Sequence, residues 1–105
     1  MHDELQALQR AGFSDRDALA AATSNGGQYL ARILPNEQPR GTIEVGKQAD
    51  LLLLDRPPSQ ALDNFSDSLD IVMARGNAYP RAVREAWFDR IRQEYNITCP
   101  PHCSP

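Results

Sequence analysis

Histidine is scarce in this chain of 105 residues: there are two, His2 and His102, near opposite ends. That placement excludes a His-x-His ligand pair and any helix carrying two imidazoles on one face. Cysteine is equally scarce, with Cys99 and Cys103 four apart in the run Cys99-Pro100-Pro101-His102-Cys103. Two thiols and one imidazole fall short of the four ligands of a closed zinc site. The haem-attachment pattern, with cysteines three apart and the histidine after the second, is not met either. Cys99, His102 and Cys103 are therefore weak metal candidates in a segment, 97–105, that reads as a flexible tail. Adventitious metal binding or oxidation between chains is the functional alternative. The two thiols are also poor candidate nucleophiles, because no Ser/His/Asp set and no glycine-rich phosphate cradle accompanies them.

Long hydrophobic runs are also missing. The longest run of large aliphatic side chains is Leu51 to Leu54, far below the ~20 residues that span a bilayer. The first ten residues, MHDELQALQR, carry acids early and lack the basic region and apolar core of a signal peptide. A cytoplasmic protein is expected, with no membrane partner. The formal charge of −3 and the absence of a basic stripe argue against nucleic acid. The length fits one domain or part of one and is too short for a complete (β/α)-barrel, which needs about 250 residues.

What is present falls into three parts. Residues 1–33 read as helices. Leu5 and Leu8, with Ala7 and Ala11, recur at helical spacing from Asp3, and Gly12 follows as a stop. Ser14 with Asp17 makes a capping-box pattern ahead of the alanine-rich run from Ala18 to Ala22. Those alanines suit either close packing against a neighbour or simple helix propensity. Thr23 or Ser24 can cap a third helix carrying Tyr29, Leu30 and Ile33. Leu34 to Arg40, with two prolines, is a loop.

Residues 41–80 read as strands. Thr42 to Val45 alternates, Gly46 turns, and Ala49 to Leu54 is expected to be a strand buried on both faces, because four leucines leave no polar side. Gln60 to Ser68 reads as a polar connection anchored by Leu62 and Phe65. Leu69 to Ala74 is a further strand, a two-residue Gly76-Asn77 loop signals a hairpin, and Pro80 ends the return strand or places it at an edge. Over 81–96, Val83, Trp87, Ile91 and Tyr95 recur every four residues with Phe88 beside them, so an amphipathic helix with an aromatic stripe is expected. That stripe reads as core, with Arg84, Glu85, Arg90, Arg92 and Glu94 at most of the other positions. The fold class is thus α/β in the α+β sense: a helical N-terminal segment, a small β-sheet and a C-terminal amphipathic helix.

The ordered series Glu4-Leu5, Ala11-Gly12-Phe13-Ser14, Asp17-Ala18-Leu19, Ala21-Ala22-Thr23, Gly41-Thr42-Ile43, Val45-Gly46-Lys47, Ala49-Asp50-Leu51 and Val72-Met73-Ala74-Arg75-Gly76 resembles the C-terminal part of the amidohydrolase superfamily. It is most similar to the metal-dependent imidazolonepropionase-like and prolidase-like members, and the resemblance runs from Met1 to about Arg81. It implies that residues 1–33 correspond to the last helices of a (β/α)-barrel. Residues 41–80 would correspond to the C-terminal share of a composite β-sandwich. There Gly46 would make a turn, Asp50 would end it, and Leu51 to Leu54 would fill the sandwich core. The chemistry it implies is hydrolysis of C–N bonds by water activated on zinc or another divalent metal.

None of the family's metal ligands can be placed on this sequence. His2 reads as a frayed terminal residue, and Asp3 falls inside the first helix. No catalytic, cofactor-binding or metal residue is therefore assigned, and the chain alone is expected to be inactive. Without barrel strands, Leu5, Leu8, Leu19, Leu30 and the Trp87 stripe are expected to need cover. The missing barrel portion or a homodimer could supply it, the latter making the chain a self-associating or partner-binding module.

Overall fold

The computed structural model describes residues 2–62 and 65–98. Among these described residues six helices and three strands follow in the order α1 (His2–Arg10), α2 (Asp15–Ala22), α3 (Ser24–Ile33), β1 (Leu51–Leu54), α4 (Pro58–Ala61), α5 (Phe65–Ser68), β2 (Leu69–Ala74), β3 (Asn77–Pro80) and α6 (Arg81–Glu94). The strands form one antiparallel sheet with β2 in the centre. This is the expected α+β class.

The helices begin and end where local chemistry tells them to. Ser14 caps α2 by accepting the amide of Asp17 at 3.1 Å, and its hydroxyl donates to the Asp17 carboxylate at 2.7 Å. One orphan amide of the first turn is satisfied in this way. Thr23 stands at the start of α3, but its hydroxyl turns back to donate to the Leu19 carbonyl at 2.7 Å, so it does not cap. Ala18 is fully buried, which shows that the alanine run serves close packing as well as propensity.

A small core forms where α1 and α2 meet the connection before β2. Leu5 and Ala18 are buried with Leu62, and Leu8, Leu19, Ala22 and Phe65 pack around them. Leu62 and Phe65 anchor the Gln60 to Ser68 connection, as the sequence suggests, and the connection also carries the end of α4 and all of α5. One expectation is corrected. Leu5, Leu8 and Leu19 do not wait for outside cover, because that connection supplies it. Burying a leucine is worth roughly 1.5–3 kcal/mol, so this contact ties the N-terminal helices to the sheet.

The strand region departs further from expectation. Thr42 to Val45 forms no strand, and Ile43 and Val45 are 86% and 107% exposed. Alternation alone does not make a strand when no neighbouring backbone is there to pair with. Leu51 to Leu54 does form a strand, but at the edge of the sheet, and Leu52 and Leu53 are 46% and 56% exposed. The expected burial on both faces is absent because a strand's faces are covered only by elements stacked above and below the sheet, and β1 makes its main contacts with β2 at its side. In the β2–β3 hairpin Ala74 pairs with Asn77, so the turn residues are Arg75 and Gly76, one position earlier than expected. Both have positive φ, 49° and 80°, as a two-residue hairpin loop matched to strand twist requires.

Candidate functional site

The residues from Gly41 to Asp55 are held by contacts of their own backbone and side chains. Gly27 is buried in the first turn of α3, and a Cβ added there would stand 2.2 Å from the Arg40 carbonyl. A Cβ on Gly41, whose φ is +97°, would stand 2.7 Å from the Thr23 carbonyl. Two glycines facing each other let the loop cross the helix at backbone contact, which no larger residue permits. The Gln48 amide then donates to the Pro39 carbonyl at 2.9 Å, and the Lys47 ammonium donates to Thr42 and, at 3.0 Å, to the Glu44 carboxylate. Gly46, at φ +87°, makes the intervening turn.

Asp50 closes the far end. Its Oδ1 accepts the Arg75 amide at 2.8 Å, and the Gly76 amide donates to the Ala49 carbonyl at 3.0 Å. The hydrogen bond from the Arg75 backbone, followed by that from Gln48, holds the Asp50 carboxyl below the usual range. Asp50 therefore braces the β2–β3 turn as well as standing at the start of β1. Glu44 is lowered in the same direction, first by its hydrogen bond from Lys47 and then by Thr42. The side chains of Thr42, Glu44, Lys47, Gln48 and Asp50 are thus engaged in building the loop.

Two clefts flank this scaffold. The smaller, about 120 Å³, lies between α3 and the following loop, lined by Leu30, Ala31, Leu34, Pro39 and Arg40 among others. The larger, about 200 Å³, lies between α6 and the sheet and is lined by Val72, Tyr79, Arg84, Trp87, Phe88 and Ile91. At its edge the Tyr79 and Trp87 rings stand 5.2 Å apart, tilted by 56°, an arrangement favourable for aromatic pairs.

Arg84 departs from the polar face expected of it: its guanidinium donates to the carbonyls of Tyr79 at 2.7 Å, Leu69 at 2.8 Å and Asp70 at 3.0 Å. It thereby fastens α6 across the start of β2 and the end of β3. The available signal was its position: Arg84 precedes Phe88 by four and Ile91 by seven, inside the apolar stripe.

Cys99, His102 and Cys103, with the side chain of His2, lie outside the described residues, and Asp3 is exposed on α1. Among the described residues no group of three His, Cys, Asp or Glu side chains could hold a metal ion. They do not fit the divalent metal that the resemblance implies, and no reaction step is derived through it. No described helix is long and apolar enough to cross a membrane. No family model, curated protein or solved structure matches the chain. What the geometry defines is a scaffold with apolar faces.

Proposed function

We propose that the chain is the C-terminal part of an amidohydrolase-like enzyme that hydrolyses C–N bonds in non-peptide or dipeptide amides. In this reading it contributes scaffold and not reacting groups, and it works in the cytoplasm. The zinc or other divalent metal of such an enzyme belongs to residues outside this chain. The observation that supports the reading is the Thr42 to Val45 segment: it has strand sequence, no strand partner, and Ile43 and Val45 almost fully exposed. A sheet completed by other parts of a longer polypeptide leaves such a segment when those parts are absent. Covering about 250 Å² of apolar surface there would be worth about 6 kcal/mol, comparable with the whole stability of a small domain. Leu30, Ile33 and Leu34, on and just beyond α3, are exposed in the same way, on the helix that the resemblance assigns to the barrel.

The half-exposed aromatic stripe on α6 favours a second reading, a self-associating or partner-binding module descended from such a fragment. The purified chain supplied with zinc or manganese should hydrolyse neither simple amides nor dipeptides above background. Metal-dependent turnover that a chelator abolishes would overturn the assignment of a scaffold role.

A further inference from the structure

The helix α6 lies almost wholly beyond the residues that carry the family resemblance, and its exposure is not explained by a missing barrel. Trp87, Phe88 and Ile91 are 47%, 48% and 45% exposed although they line the cleft against the sheet. Tyr95 and Ile97 continue the apolar surface past the helix end at 68% and 52% exposure. Together these five side chains leave about 550 Å² exposed, at the upper end of what a monomer carries as its largest apolar patch. With a polar rim, the face approaches the roughly 800 Å² that each partner contributes to a stable interface.

The charges beside this patch indicate what covers it. Val83, Trp87, Arg90 and Glu94 follow one another at spacings of four, three and four, and therefore line one flank of the helix. On the opposite flank Arg92 is used within the helix, paired with Asp89 at 2.8 Å. Arg90 and Glu94 make no ion pair or hydrogen bond within the described residues, although they stand one turn apart. A single cation and a single anion at that spacing, next to an apolar patch, are self-complementary. When a second α6 packs antiparallel about a two-fold axis near Arg92, Arg90 of each copy meets Glu94 of the other. The same axis brings Ile91 close to its counterpart and sets Trp87 over the partner copy's C-terminal apolar residues. We infer that α6 is the contact face of a homodimer, with two copies of the helix antiparallel and joined by reciprocal Arg90–Glu94 pairs. A two-fold axis makes each such pair occur twice, so the contact specifies register as well as adding charge complementarity.

The test is a charge-reversal cycle on the full chain, read by sedimentation equilibrium with circular dichroism to verify folding. The wild-type chain should sediment as a dimer at micromolar concentration. Arg90→Glu and Glu94→Arg, each alone, should raise the dimer dissociation constant by about tenfold or more. The double variant R90E/E94R regenerates the pairs in reverse and should return to within about threefold of wild type. Trp87→Ala should weaken the dimer without restoration by either charge change. A chain that stays monomeric to millimolar concentration overturns the proposal. So does a dimer that none of these variants disturbs, or a double variant no better than its singles. None of these results bears on the hydrolase reading, which rests on residues 1–81.

Discussion

At the scale of single residues, the motif that suggested an enzyme is explained by the loop it builds. Gly27 and Gly41 admit a backbone crossing, Lys47 closes over Thr42 and Glu44, and Asp50 holds the Arg75 amide 25 positions away. The Asp50 contact has a consequence for acid stability. Its carboxyl is held below the ordinary range in the folded chain, so it binds a proton less readily folded than unfolded. The stability it contributes is present above the unfolded pKa and is lost as pH falls through the lower folded value. Asp50→Asn keeps an acceptor for the Arg75 amide and removes the titration. Urea midpoints should therefore fall less steeply with acid in Asp50→Asn than in wild type, with the difference appearing below the ordinary carboxylate range. Identical pH profiles would show that Asp50 carries no linkage.

At the scale of elements, the parts whose cause is local were legible in the sequence. The capping serine of α2, the periodicity of α1 and α6, and the glycine-bearing hairpin all act within a few residues of themselves. What depended on distant partners was not. Leu51 to Leu54 is a strand from its composition, but the burial of its leucines depends on what packs on the two faces of the sheet, and the structure gives β1 its main contacts with β2 alone. Thr42 to Val45 has alternation without a neighbour. Leu62 is legible as an anchor within its polar run, but that it closes the helical core against Leu5 and Ala18 follows only from the fold. Arg84 was hidden for another reason: a charge inside an apolar stripe reads as surface until its three carbonyl partners are seen. A lysine presents one ammonium and cannot reproduce the planar fork that spans them. Arg84→Lys should lower the thermal midpoint by several degrees, equivalent to about 1–2 kcal/mol in a domain of this size, and should quench or red-shift the emission of Trp87 as α6 loosens. An unchanged midpoint and spectrum would mean that α6 is held by the Tyr79–Trp87 contact and not by the guanidinium.

At the scale of the whole molecule, cover is unevenly distributed. Leu5, Ala18, Ala61 and Leu62 are buried, while large apolar side chains along α3, the 43–45 loop, β1 and α6 stay exposed, from 36% at Leu30 to 107% at Val45. The resemblance assigns the first three of those surfaces to a barrel and a composite sheet, and the reciprocal charges on α6 assign the fourth to a second copy. The placement of two histidines and two cysteines is read from the sequence alone, whereas the direction of the missing cover required the fold. The central claim is that these residues complete a larger C–N hydrolase, and the coding DNA immediately upstream of Met1 tests it most directly. The account predicts a reading frame that stays open for about 250 codons, the length of a barrel, and encodes a His-x-His pair. A stop codon followed by a ribosome-binding site directly before Met1 would contradict it.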